Sequence, residues 1–254
     1  LTKVYSEELQ MAADMGEGYR PQLVSVYETI HSMTDEMGEV FSSVTTQLTA
    51  HGVHVLRMAE LTPEELEPLR EVFVYDVEPL LTPIAVDARH PFPANVRNMT
   101  VNLAALLMPK GKGSLRFVYL PVPLDLGRWI QISSPRGRFC YVRSEDLIRH
   151  FLPTMYPLHK IVAAHVFRVT RDFFIDDLSP DPEDVLELMS SGIDMRRYAQ
   201  VVRLEVTHDV HPDVIEMLSF HLNIERISIY SLKFEELIGL ADMMFFVRLP
   251  LPAL

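Results

Sequence analysis

The sequence is poor in cysteine and in long apolar runs. Cys140 is the only cysteine among 254 residues, so an intramolecular disulfide framework is excluded and a reducing cytoplasm is the expected compartment. Apolar runs such as residues 243–247 fall far short of the ~20 residues that a membrane helix needs. We therefore expect a cytoplasmic protein without a transmembrane segment, in which Cys140 is a small buried side chain rather than a nucleophile. The chain lacks an initiator methionine, and we expect it to be part of a longer protein.

Positive charge is scarce as well, and its deficit is uneven along the chain. The whole sequence has 23 Lys and Arg against 35 Asp and Glu, a net charge of −12. Residues 1–80 hold 4 of these cations and 15 of the carboxylates, whereas residues 81–254 hold 19 and 20. An acidic first part argues against nucleic acid as a partner, because affinity for that backbone comes from neutralising phosphates.

Helical periodicity dominates the first 80 residues. It predicts a long helix from Pro21 to Gly52, with Tyr27, Met33 and Met37 in its buried stripe. A single apolar stripe on so long a rod needs partner helices, which predicts a small antiparallel bundle. Thr62-Pro63-Glu64-Glu65 predicts a second helix that begins with a capping box. Residues 53–56 between the two helices are interpreted as an extended connector.

Strand patterns dominate the rest of the chain and alternate with helices towards its end. Strands are predicted at 101–108, 115–122, 129–132, 138–142, 161–171, 201–207 and 227–230, and helices at 144–153, 182–198, 212–222 and 234–242. The strands between residues 115 and 142 are interpreted as a meander, with Ser144 capping the helix that follows. The sequence therefore predicts an α+β protein: an N-terminal α-helical bundle, then an α/β domain with a mixed β-sheet.

Histidines and a glycine-rich loop offer little chemistry. His90 is interpreted as ordering a proline-rich turn, and residues 109–114 as a β-turn, because their spacing differs from that of a phosphate-binding loop. His208, His211 and His221 lack the further ligands that a metal site requires and are interpreted as solvated or capping residues. We assign no catalytic, cofactor-binding or metal-ligating residue to this chain.

A group of arginines is the candidate for binding anions. Arg136, Arg138 and Arg143 lie on or beside one predicted strand, where the simple interpretation is a solvated strand edge. Their guanidinium groups also suit phosphate geometry, so we keep a contact with polyphosphate or with a phosphorylated partner domain as the alternative.

Three motifs in order resemble the bacterial polyphosphate kinases, the long family with a phosphohistidine intermediate. They are Leu-Thr-Pro-Ile-Ala-Val-Asp-Ala-Arg-His-Pro-Phe-Pro at 81–93, Phe-Arg-Val-Thr-Arg-Asp at 167–172 and Arg-Leu-Glu-Val at 203–206. The resemblance implies that residues 1–75 correspond to the rear of the family's helical N-terminal domain and residues 76–254 to its head domain. It also implies a homodimer through the head domain, with polyphosphate as a partner.

The catalytic C-terminal domains of that family have no counterpart in this sequence, and its His-x-Lys pattern does not occur here. The resemblance therefore implies ATP and magnesium as cofactors of the intact enzyme, with none expected on this part, which would be structural, dimerising and inactive alone. Membrane association of the intact complex stays open. The alternative is a stand-alone, non-catalytic interaction or regulatory module, and the reading frame downstream of Leu254 would distinguish the two.

Overall fold

The computed structural model describes residues 19–87, 92, 96–171, 200–234 and 238–250. The helices are α1 (Tyr19–Ala50), α2 (Pro63–Val72), α3 (Ser144–Met155) and α4 (Pro212–Leu222), and a 3-10 helix spans Leu240–Arg248. The strands are β1 (Val53–Val55), β2 (Ile84–Val86), β3 (Val101–Pro109), β4 (Arg116–Pro121), β5 (Trp129–Ser134), β6 (Gly137–Arg143), β7 (His159–Arg171), β8 (Val201–Thr207) and β9 (Ile229–Leu232). The predicted helix at 182–198 and the His90 turn lie outside the described residues.

The strands form two mixed sheets, which confirms the predicted α+β class. The larger sheet has the order β2-β4-β3-β7-β8-β9 and is antiparallel except for the β8–β9 pair. The smaller sheet has the order β1-β6-β5, with β1 and β6 parallel. The predicted meander is right only for the antiparallel β5–β6 pair, because β5 does not pair with β4 and β6 pairs on its other side with β1. Residues 53–56 were predicted as an extended connector, and residues 53–55 are indeed extended, but they form strand β1 paired with β6 rather than an unpaired connector.

The helix ends confirm one predicted cap and contradict another. Thr62 caps α2 in a complete capping box with Glu65, as predicted, and the backbone of Gly52 takes a left-handed φ of 79° where α1 has ended. The predicted cap by Ser144 is wrong, because Arg143 occupies the N-cap position of α3 and gives no side-chain cap. The helix predicted to begin at 234 is a 3-10 helix from Leu240 onwards.

One hydrophobic core joins residues from before and after position 75. Phe73, just beyond α2, stacks on Phe151 of α3 with 5.0 Å between ring centroids. Both belong to a cluster that includes Leu103 on β3 and Val142 on β6. The domain boundary after residue 75 stays a prediction. If it exists, the two domains share one hydrophobic core across it.

Helix α1 rests on the sheets over only part of its length. Tyr27 is buried and Met37 packs against the main core, as predicted, but Met33 is 62% exposed. The buried stripe was predicted on the assumption that partner helices cover the whole helix. In the structure α1 contacts strands β1 and β9, and Tyr27 and His31 in its first half meet Tyr230 of β9. Within the described residues, no helix combines the length and the apolar character needed to cross a bilayer.

Candidate functional site

The structure does not bring the three predicted arginines together. Arg136 lies in the β5–β6 turn, and its Nη1 donates to Glu65 Oε1 at 2.6 Å. Arg138 is exposed, with its guanidinium carbon 5.3 Å from the centroid of the Phe139 ring. Arg143 is buried at the opposite end of β6. Since a strand rises about 3.3 Å per residue, roughly 17 Å of chain separates Arg138 from Arg143.

Glu65 uses its carboxylate in two directions. One oxygen accepts the Thr62 N–H at 2.8 Å, which closes the capping box, and the other accepts from Arg136. The Ser134 hydroxyl, followed by the Thr62 N–H and the Arg136 guanidinium, lowers the pKa of Glu65 to about 2. Arg136 is thus held by a carboxylate that stays ionised at neutral pH.

Arg143 belongs to an ion-pair network at the corner between β6 and α3. Its Nη2 lies 2.7 Å from one oxygen of Asp146, and Arg149 Nη2 lies 2.7 Å from the other oxygen. Behind them, Arg128 Nη2 donates to the fully buried Glu145 at 2.7 Å. Burial raises the pKa of Asp146, while the two arginines beside it oppose that shift. The network fixes the direction in which Arg149 leaves the helix.

A cleft of about 630 Å³ opens beside this corner. Its lining consists of Arg57, Met58, Ala59, Arg143, Asp146, Arg149, His150, Thr207, His208, Asp209, Lys233 and Phe234. Four of these side chains are cationic and two are carboxylates, so the formal charge of the lining is positive. A positive cleft in a chain of net charge −12 is a local exception to the overall charge.

The cleft lies where parallel strands end. Residues 57–59 follow β1, and Arg143 is the last residue of β6, the parallel partner of β1. Residues 207–209 end and follow β8, and residues 233–234 follow its parallel partner β9. Ligands in open α/β sheets bind outside the carboxyl ends of the strands, and this cleft collects the carboxyl ends of two parallel pairs.

Two of the three resembling motifs meet on adjacent strands, β7 and β8, and their arginines serve the architecture. Arg168 on β7 stands opposite Glu205 on β8, and both Arg168 and Arg203 donate to the Glu205 carboxylate. Arg171 is buried and donates through Nε to the backbone oxygen of Val96 at 2.8 Å. Arg168 and Arg171 thus leave β7 towards different partners and anchor neighbouring segments.

The same motif ties helix α1 to the larger sheet. The guanidinium carbon of Arg203 lies 3.9 Å from the centroid of the Tyr230 ring on β9. His31 on α1 stacks on that ring with 4.5 Å between centroids. The Tyr27 hydroxyl lies 3.5 Å from the Ser228 hydroxyl. The motif residues therefore order the contact between α1 and β9.

Two of the histidines singled out in the sequence, His211 and His221, have structural partners. His211 caps α4, because its Nδ1 accepts the Asp213 N–H at 3.2 Å, and its own N–H donates to His165 Nε2 at 3.1 Å. His221 stacks on Phe92 with 5.3 Å between ring centroids. In the described part of the chain, no cluster of His, Cys, Asp or Glu could hold a metal ion. The loop at 110–114 joins antiparallel β3 and β4, so it is a strand-to-strand turn.

Sequence reasoning missed three cationic residues of the cleft: Arg57, Arg149 and Lys233. They are far apart in the chain, and no spacing rule connects them. Arg57 and Lys233 each follow a short strand, which is the one local signal that could have drawn attention to them. That signal becomes useful only when the parallel pairing is known.

Comparisons with known proteins agree on one family. A model described as the polyphosphate kinase middle domain matches residues 64–246. A polyphosphate kinase of Dictyostelium discoideum is 32% identical over 234 residues, covering 90% of this chain and 22% of the relative. One from Thermosynechococcus vestitus (strain NIES-2133 / IAM M-273 / BP-1) is 33% identical over 256 residues, covering 98% of this chain and 34% of the relative.

Among solved structures, the crystal structure of a polyphosphate kinase from Porphyromonas gingivalis has the same fold. The TM-score is 0.66 at 19% identity, over 98% of this chain and 36% of that one. The chain thus spans about a third or less of the length of these relatives.

Proposed function

The chain belongs to the polyphosphate kinase family, and on that basis we propose that it is the middle domain of an enzyme that reversibly transfers the terminal phosphate of ATP to polyphosphate. The family-model match over residues 64–246 carries this proposal. Pairing of the 167–172 and 203–206 motifs across β7 and β8 supports it, because each motif then has a definite structural role. ATP and magnesium are the cofactors of the intact enzyme in this proposal, and a cytoplasmic location agrees with the lone cysteine.

The 254 residues alone are expected to be inactive. Phosphoryl transfer through a phosphohistidine needs a positioned histidine nucleophile, and the family's His-x-Lys pattern does not occur in this sequence. We expect no incorporation of labelled phosphate from ATP into polyphosphate by the purified chain. Turnover by the chain alone would contradict this assignment of roles.

The positive control for this assay is the longer protein, expressed from the longest reading frame that contains these residues. If the frame continues beyond Leu254 and encodes a His-x-Lys motif, that product should catalyse the transfer, and deletion of residues 64–246 should abolish it. A stop codon directly after Leu254, together with inactivity, would instead favour the stand-alone interaction module.

We further propose that this domain forms dimer contacts through apolar residues near its C-terminal 3-10 helix. Met244 is 65% exposed and Val247 is 72% exposed, next to Phe246, which is buried against Trp129. Exposed apolar side chains grouped in this way are typical of protein interfaces. Light scattering should show self-association that weakens in a Met244→Ser/Val247→Ser variant, and a monomer at high concentration would refute it. The anion contact predicted for Arg136, Arg138 and Arg143 also stays a prediction, and exposed Arg138 is its cleanest test position.

A further inference from the structure

We propose that the cleft at the carboxyl ends of β1, β6, β8 and β9 binds the phosphate groups of an oligophosphate anion, with Arg57, Arg149 and Lys233 as its contacts. The ends of the two parallel strand pairs bring these three cations from distant parts of the chain to one concavity. The identification of this anion as polyphosphate rests on the proposed function, whereas the binding of phosphate groups does not.

Charge is the first argument for this ligand class. The cleft is lined by four cationic side chains against two carboxylates in a protein with a net charge of −12. A concave surface of one sign with low-dielectric walls focuses the field and raises the local concentration of ions of opposite charge. The net negative charge of the molecule disfavours a polyanion in general, so an excess of cations in one cleft favours docking there.

Preorganisation is the second argument. Arg149 is fixed by Asp146, whose other oxygen is bound by Arg143. The side chain of Arg149 remains 32% exposed, so the ion pair holds it at the cleft without removing it from solvent. A guanidinium that is already ordered loses little conformational freedom when it binds a phosphate oxygen.

Accessibility is the third argument. Arg57 follows β1 and Lys233 follows β9, and both are exposed and line the cleft. Partial burial, and then the charge of Arg70, lowers the pKa of His150, so at neutral pH its imidazole adds hydrogen-bonding capacity rather than charge. A volume of about 630 Å³ falls within the range of small-molecule sites and has room for several linked phosphate groups.

The test measures tripolyphosphate binding to the 254-residue chain by titration calorimetry at fixed ionic strength. The Arg57→Gln/Lys233→Gln variant should bind tripolyphosphate with an affinity lower by at least about tenfold, because two charge-assisted contacts are lost. The control is Lys112→Gln/Arg116→Gln, which removes the same charge from exposed positions at the β3–β4 turn. Its affinity should stay within about threefold of the parent, as expected for long-range charge alone. No binding by the parent, or equal weakening in both variants, would overturn the proposal.

A second measurement does not depend on variants. Acetylation of lysine side chains by a water-soluble reagent, followed by mass spectrometry, reports how accessible each amine is. Tripolyphosphate should slow acetylation of Lys233 several-fold and leave Lys112 unchanged. Equal rates at Lys233 with and without tripolyphosphate would refute the assigned contact.

The source of the phosphates is resolved by comparing long-chain polyphosphate, tripolyphosphate and magnesium-free ATP in the same titration. Preference for the inorganic chains identifies a polyphosphate site, and equal affinity for ATP identifies a site for the triphosphate of a nucleotide. The result is separable from the proposed function. If the longer protein is catalytically active but the 254-residue chain does not bind tripolyphosphate, only the cleft is refuted. If the 254-residue chain binds tripolyphosphate but the longer protein has no activity, only the enzyme is refuted.

Discussion

At the scale of residues, the same side-chain type takes three different roles on one strand and its turn. Arg136 pairs with the ionised Glu65, Arg138 is exposed over an aromatic ring, and Arg143 is buried in an ion-pair network. Their partners determine these roles. Charge counted along the sequence therefore says little about which arginine can receive a ligand.

Glu65 should make the protein sensitive to acid. Its pKa falls from 4.5 to about 2 on folding, so the stability it contributes is fully present above about pH 4.5 and is lost as the pH falls towards 2. Glu65→Gln should lower the free energy of unfolding at pH 7 by about 1–2 kcal/mol, because the ion pair with Arg136 is lost while a Gln oxygen can still accept the Thr62 N–H. Denaturant unfolding at pH 7 and pH 3 should show that the difference shrinks in acid.

Glu67→Gln is the matched control for this variant. Glu67 lies on the same helix but forms only a surface pair with Arg70 at 3.8 Å, with both side chains more than half exposed. Its substitution should change stability by less than about 0.5 kcal/mol at either pH. Equal behaviour of the two variants would show that Glu65 is not the acid-sensitive group.

The candidate site shows which part of such a cluster a sequence can predict. Arg143 was among the predicted anion contacts and does line the cleft, but its neighbours in the prediction, Arg136 and Arg138, do not. Arg57, Arg149 and Lys233 were missed, because Arg57 and Lys233 are more than 170 residues apart in the chain and only the pairing of β1 with β6 and of β8 with β9 brings the three to one cleft. The local sequence indicates which residues are charged and which are exposed. Which charged residues come together in one cleft depends on the fold.

At the scale of elements, local sequence signals predicted where helices and strands lie better than they predicted which strands pair with each other. The helix at 212–222 and the strand at 201–207 match α4 and β8 at both ends, because a capping residue or a β-branched run marks each of them. Strand β1 was missed, since three residues carry almost no periodicity. The second sheet was missed with it, because nothing near β6 specifies a partner more than 80 residues earlier.

The end of helix α1 depends on the backbone of Gly52. This residue has a φ of 79°, and a Cβ added there would meet no atom within 4 Å, so strain alone opposes a side chain. Gly52→Ala should lower the free energy of unfolding by about 1 kcal/mol. Gly111 is equally open but has no positive φ, so Gly111→Ala should be neutral or slightly stabilising. Thermal unfolding of both variants gives the comparison, and equal midpoints would contradict the role given to Gly52.

At the scale of the whole molecule, the acidic first part and the nearly neutral remainder share their packing. Strand β1 supplies one neighbour of β6, and Phe73 enters the core that contains Phe151 and Val142. The composition changes near residue 80, yet the main hydrophobic cluster continues across that point. The change in composition near residue 80 marks the passage from mainly helical to mainly strand structure. It does not mark an interruption of the hydrophobic core.

Residues 76–254 alone should therefore fold poorly. Without β1 and α2, an edge of β6 and the faces beneath Phe73 become exposed, and the cluster loses part of its buried apolar area. We expect residues 76–254 to bind a hydrophobic dye and to lack a sharp thermal transition. The 254-residue chain should instead unfold with a van't Hoff enthalpy close to the calorimetric one. A sharp transition in the shorter chain would support an independent domain beginning at residue 76.

The single cysteine, Cys140, can be used as a chemical probe of opening motions in the three-stranded sheet. Its side chain is fully buried in the middle of β6, between β1 and β5, and its thiol donates to the Gly137 backbone oxygen at 3.4 Å. A thiol reagent can reach it only when the three-stranded sheet opens, so the labelling rate measures how often that opening occurs. Because no second cysteine is present, the natural sequence carries this probe without any engineering.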